Sequence, residues 1–143
     1  MAIFMRKYRN KKTNGYDSTI EYKRSLVLKQ MQQDGIITDL KEQVRYELIP
    51  AIYETETVQL KTKTKTVERC VQRPIDYVAD FTYYRNGELV VEDVKGSKFI
   101  VTADFKIKAK MMYYFHKIKV RIVYGKNIKD TTESAYGWLQ RLH

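Results

Sequence analysis

Behind Ser18, apolar residues fall at Ile20, Leu26, Val27, Leu28 and Met31, a spacing that suits one face of a helix. Ser18 with Glu21 three residues on has the form of a capping box. Gly35 suits the C-terminal cap, so a helix is predicted to stop there. Residues 43–52 read as a strand, with Pro50 near its end. From 55 to 71 the period shortens to two around Lys61-Thr62-Lys63-Thr64-Lys65-Thr66. Both faces of that stretch are polar, which predicts a protruding or edge ribbon. Residues 77–84 and 89–95 are β-rich, and Asn86-Gly87 between them is a two-residue hairpin signal. Gly96 ends the second strand. Thr102 can cap a helix running to about His116, and 118–124 form a last strand stopped by Gly125. Residues 1–16 read as a basic, flexible arm. A tail at 131–143 is expected to be helical, with Trp138, Leu139 and Leu142 on its apolar side.

The order is helix, strand, ribbon, hairpin, helix, strand. A strand–helix–strand crossover of this length makes the last strand parallel to 89–95. The expected fold is therefore α/β, with a mixed central sheet, a protruding β-ribbon, and one domain over residues 1–143. With 43% hydrophobic and 31% charged residues the chain has the balance of a globular protein rather than a disordered one. No apolar run approaches the roughly 20 residues of a membrane helix, so no membrane role is expected. The lone Cys70 has no partner for an internal disulfide, which favours a reducing, cytosolic setting.

The net charge of +10 points to a polyanionic partner, nucleic acid first. Its distribution sharpens this. Residues 1–30 hold eight Lys/Arg against Asp17 and Glu21, and residues 105–130 hold another eight against Asp130. In the arm these include Arg6, Lys7, Arg9, Lys11 and Lys12. On the second helix, Lys106, Lys110 and Lys117 cluster with Tyr113, opposite a stripe of Phe105, Ala109, Met112 and His116. Lys108 sits at the border of that stripe. His116 reads as a buried-edge histidine rather than a catalyst. These lysines, with Lys61, Lys63 and Lys65 of the ribbon, are candidates for phosphate contacts. The ribbon lysines would also block edge-to-edge aggregation.

Candidate chemistry gathers on the hairpin. Asp93 and Lys95, two apart on a strand, share a face, and Glu92 points to the other. Counting outward from Arg85 facing Glu88 across Asn86-Gly87 places Asp80 opposite Asp93. Directly opposed side chains have Cβ atoms ~5 Å apart, and two like charges there are destabilising without compensation. A divalent cation compensates them, and Mg²⁺ takes one or two carboxylates while keeping several waters. The competing expectation is a salt-bridge ladder on an exposed sheet face.

Ala79-Asp80, twelve residues, then Asp93-Val94-Lys95 resembles the signature of the PD-(D/E)XK nuclease superfamily. The stretches GYDSTIEYKR (15–24), YVADFTYY (77–84), VVEDVKG (90–96) and TADFKIKAKMM (102–112) resemble a family of small phage and prophage proteins linked to Holliday-junction resolution. Ala79 stands where the motif has proline. The resemblance implies a restriction-endonuclease-like core of helix, three strands, helix and strand. It also implies an Mg²⁺- or Mn²⁺-dependent endodeoxyribonuclease acting in a bacterial host cytosol, with branched DNA as substrate. Asp80, Asp93 and Glu21 would then be metal ligands, Lys95 the catalytic lysine, and Gln43 a polar residue pointing into the site. Glu21 could instead serve only the cap of Ser18. Four-way junctions are two-fold objects, so a C₂ homodimer is expected, through the tail or the ribbon. The alternatives are a nuclease specific for flaps or ends, and a basic protein that binds DNA or RNA without cutting it.

Overall fold

The computed structural model describes Gly15 and residues 18–131. The basic arm apart from Gly15, including Arg6, Lys7, Arg9, Lys11 and Lys12, and the tail from residue 132 onward lie outside the described residues. Helix α1, Thr19–Gln33, is followed by strands β1, Thr38–Ile49, β2, Ile52–Gln59, β3, Thr64–Gln72, β4, Ile75–Arg85, and β5, Glu88–Lys95. Helix α2, Ala103–His116, and strand β6, Arg121–Tyr124, complete it. The main sheet has the order β1-β4-β5-β6, with β5 and β6 parallel and the other neighbours antiparallel. The fold is thus α/β around a mixed sheet. Strands β2 and β3 pair only with each other, and every residue of them is exposed except half-buried Val67. They form the expected ribbon, standing off the core between β1 and β4. No helix among the described residues is long and apolar enough to cross a membrane.

Local signals place the ends. The Ser18 hydroxyl accepts from the Glu21 backbone N–H at 3.2 Å. At the far end Gly35, at φ +76°, lets the Ile36 N–H reach the Met31 carbonyl at 2.9 Å, as helix-ending glycines do. Asn86 and Gly87 both have positive φ, the backbone that a tight hairpin requires. Two boundaries differ from expectation. Strand β1 begins five residues earlier than 43 and stops before Pro50, so Ile52 belongs to the ribbon. Strand β6 begins at Arg121 rather than 118. Lys117 turns left-handed to cap α2, and the Ile118 N–H bonds back to the Met112 carbonyl, so these residues serve the helix exit.

Each face of the sheet carries one helix. On one side Leu28 and Met31 of α1 pack with Phe81, Tyr83, Val90, Val94 and Val123. On the other, Phe105, Ala109 and Met112 of α2 pack with Leu48, Tyr77, Ala79, Val91 and Ile122. Strand β4 therefore supplies Tyr77 and Ala79 to the α2 side but Phe81 and Tyr83 to the α1 side. Odd-numbered residues change faces across Asp80. Strand β1 changes with it: Leu40 packs with the α1 cluster, and Tyr46 and Leu48 with the α2 cluster. Its residue between the pairs Glu42↔Phe81 and Val44↔Ala79 is Gln43, at φ +53°. A non-glycine residue in this region costs on the order of 1 kcal/mol. Strand β5 does not invert, and its ladder with β4 stops at Phe81↔Glu92.

Behind the sheet, Arg24 of α1 and Glu92 of β5 are both wholly buried. The Arg24 guanidinium donates to both Glu92 carboxylate oxygens, at 2.8 and 3.0 Å. It also donates to the carbonyls of Ile128 and Asp130, and the Tyr83 hydroxyl donates to Glu92. Removing one partner of a buried pair leaves an uncompensated charge and costs about 3–5 kcal/mol. Arg24→Met is expected to lose that much in urea denaturation, and adding Glu92→Leu to recover part of it. A loss under about 1 kcal/mol for Arg24→Met would show that the pair does not hold α1 to the sheet.

Candidate active site

The change of face at Asp80 builds the site. Where the β4–β5 ladder stops, the Asp80 carboxylate enters the gap, and its Oδ2 accepts the Val94 backbone N–H at 2.8 Å. The uninterrupted register counted from the hairpin does not extend to an Asp80–Asp93 pair. The expected carboxylates still converge, because the side chain of Asp80 takes the place of the missing backbone partner. Asp93 is 5% exposed, so the arrangement is not an exposed salt-bridge ladder. Its Oδ1 lies 3.1 Å from Lys95 Nζ, and its Oδ2 accepts the Tyr77 hydroxyl at 2.8 Å. The Lys95 ammonium also sits 4.4 Å from the centre of the Phe105 ring, which fixes the lysine stem along α2. The Gln43 side-chain amide reaches 3.5 Å from Asp80 Oδ1, at the limit of a hydrogen bond.

Electrostatics report the same convergence. The Asp80 carboxyl is pushed up from 3.8 to about 8. Burial is the largest cause, followed by the negative charges of Asp93 and Glu21; the Val94 N–H and Lys95 oppose them. Glu21, one turn before Arg24 on α1, therefore acts on Asp80 besides standing in the first turn of its helix. Burial, with Asp93 second, raises the Tyr77 hydroxyl, so it remains a donor to Asp93 at any ordinary pH. Two carboxylates and a third within electrostatic reach form a hard-oxygen donor set with excess negative charge, which suits a divalent cation. Among the described residues no three metal-capable side chains form a compact group. Asp80 and Asp93 are thus the inner pair, with Glu21 acting from farther out.

Other expected residues lie elsewhere. Lys106 is half-buried and Lys110 exposed on α2; Lys117 at its end stacks 5.7 Å from both Tyr113 and Tyr114, with Lys119 beside Tyr113. Lys108 does not reach the site. It pairs with Asp104 one turn back, at 3.7 Å. Lys61, Lys63 and Lys65 are exposed at and beside the ribbon tip. His116 is exposed, not buried, bonding the Glu47 carbonyl at 2.7 Å and packing on Tyr46; the β1 edge leaves its outer side to solvent. Tyr77 was not singled out by the sequence, because period two alone puts residue 77 on the wrong face.

A family model described as "Protein of unknown function (DUF1064)" matches residues 5–130. No curated protein and no solved structure matches the chain.

A carboxyl whose folded-state pKa lies above its unfolded value contributes stability in full below the unfolded pKa, and that contribution is lost as pH rises through the folded one. For Asp80 the window runs from 3.8 to about 8. In chelating buffer, Asp80→Asn keeps an acceptor for Val94 and removes the repulsion. It should unfold at higher denaturant than wild type above pH 8, by on the order of a few kcal/mol, with the difference vanishing near pH 4. Identical pH profiles for the two proteins would show that burial and the neighbouring carboxylates do not raise the Asp80 pKa.

Proposed function

The chain belongs to the DUF1064 family, whose function is unknown, and we propose from its own geometry that it is a metal-dependent DNA endonuclease. One observation carries the reading: Asp80, Asp93 and Lys95 converge at the split between β4 and β5, where burial first and the charges of Asp93 and Glu21 second push the Asp80 carboxyl up to about 8. Bound Mg²⁺ or Mn²⁺ would relieve that repulsion, activate water and stabilise charge on a phosphodiester. Asp80 and Asp93 would hold the metal in this reading, with Glu21 adding negative charge from farther out. Lys95 holds Asp93 on one side and presents its ammonium to the phosphate, where charge grows during attack. Tyr77 keeps the Asp93 carboxylate turned toward Asp80. The order of core elements, with the ribbon inserted before the hairpin, supports the restriction-endonuclease-like layout.

Branched DNA is the substrate we favour, and a C₂ homodimer the acting unit. The ribbon stands clear of the core with Lys61, Lys63 and Lys65 at its far end, and Lys110, Lys117 and Lys119 extend the positive surface along and beyond α2. Both are placed to follow phosphates away from the cutting centre. A non-cutting nucleic-acid binder would need the basic surface but has no use for an inner carboxylate pair.

Labelled four-way junction, flap, duplex and single-stranded DNA, incubated with Mg²⁺ or Mn²⁺, test the activity. Cleavage is expected on branched substrates, and Asp93→Asn and Lys95→Ala should each reduce it by at least about 100-fold. No cutting of any substrate, or full activity in Asp93→Asn, refutes the enzyme. Sedimentation at micromolar concentration should give a dimer, alone or on the junction; a monomer in both conditions refutes the two-fold arrangement.

A further inference from the structure

Just beyond Lys95 the structure has a cavity of about 300 Å³ lined by Gly96, Ser97, Lys98, Phe99, Tyr124 and Lys126. We propose that it holds one unpaired nucleotide of the strand being cut, with the base against Phe99 and Tyr124 and the phosphate between Lys98 and Lys126. The proposal rests on the nuclease reading only for which phosphate is cleaved; the binding itself requires no metal and no cleavage.

Four observations carry it. The volume is that of a small-ligand site. The lining joins two aromatic rings to two ammonium groups and two hydroxyls, those of Ser97 and Tyr124, and none of the described lining residues carries a carboxylate. Rings offer a stacking surface to any base, and lysines complement a phosphate. The position is the carboxyl end of the parallel pair β5–β6, where Lys95 is in register with Tyr124, and such edges are where open α/β sheets hold ligands. From Asp93 to Gly96 the extended chain covers about 10 Å, a few nucleotides at most at the stacked rise of ~3.4 Å. Finally, Phe99 is 86% exposed, with Lys98 Nζ 5.3 Å from its ring centre.

Gly96, in the cavity lining, is held against the end of β6. Gly125 donates its N–H to the Gly96 carbonyl at 3.2 Å, and a Cβ at Gly125 would lie 3.0 Å from that oxygen. A side chain at Gly125 would press its Cβ against that oxygen more tightly than an ordinary contact. Phe99 rides on a single 3-10 turn, Lys98–Ile100, closed by the Ile100 N–H bonding to Ser97. The occupant must be unpaired, because bases inside a duplex cover each other's faces and an aromatic ring reaches one only when it is out of the stack. This deepens the preference for branched DNA: the feature read at a branch is an unstacked nucleotide beside the scissile phosphate.

The test uses full-length protein in EDTA with duplexes that carry one unpaired 2-aminopurine, and with fully paired controls. Quenching of 2-aminopurine on binding is expected. Phe99→Ala, at an exposed position, should abolish the quench and weaken binding to the unpaired substrate roughly five- to hundred-fold, the range of aromatic–base stacking. Its affinity for paired duplex should stay within about twofold. Lys98→Ala with Lys126→Ala should flatten the salt dependence on single strands by about 0.7 in the log–log slope, the value for the one phosphate they share. Equal loss on paired and unpaired DNA, or none on either, overturns the proposal. Quenching by a wild type that cuts nothing would leave the pocket standing and remove the nuclease; cutting without any quench would do the reverse.

Discussion

A carboxylate at the centre of a sheet, with no access to water, is tolerable only when each of its oxygens is met by a donor, and Glu92 meets that condition through Arg24 and Tyr83. Much of the architecture follows from satisfying it. Arg24 fixes α1 across the sheet and draws the segment after β6 in through two carbonyls. Because Glu21 lies one helical turn before Arg24, anchoring the guanidinium also sets how far the Glu21 carboxylate reaches toward Asp80. A stabilising contact on one face thereby governs the electrostatics of the other.

Glu92 and Asp93 are chain neighbours on opposite faces, and each is provided with a tyrosine hydroxyl and a cation. Glu92 has Tyr83 and Arg24; Asp93 has Tyr77 and Lys95. The difference lies in closure. The guanidinium grips Glu92 through both oxygens and is itself tied to two backbone carbonyls, so the pair is closed off. The Lys95 ammonium touches one oxygen of Asp93, keeps part of its surface in solvent, and acts on a second carboxylate, that of Asp80. Similar chemistry gives a sealed joint on one side and an open, repulsive centre on the other.

Much of this was legible in the residues. Ser18, Gly35, Asn86-Gly87 and Thr102 each demand a particular backbone, and the elements begin, turn or end where they stand. Asp93 and Lys95 share a face because β5 keeps an uninterrupted period of two. What stayed hidden is the inversion at Asp80 and Gln43. Nothing about a glutamine announces a left-handed backbone, and period-two reasoning assumes that no such break occurs. Tyr77 was missed for the same reason. Arg24 was missed for another: a helix is read from its apolar residues, and an arginine among them looks like solvent-facing charge until a buried glutamate appears opposite.

The ribbon has a consequence for how such a chain can change. Its two ends are pinned at the base, where Ile49 pairs with Ile75 across β1 and β4, and the core clusters contain no residue from between them. The core therefore does not register its length, its tip or its sequence, and lengthening a loop beyond a closed base adds only a slowly growing entropic cost. The excursion is an interchangeable cartridge: it can be traded between descendants of one ancestral scaffold, altering what is reached without disturbing what is folded.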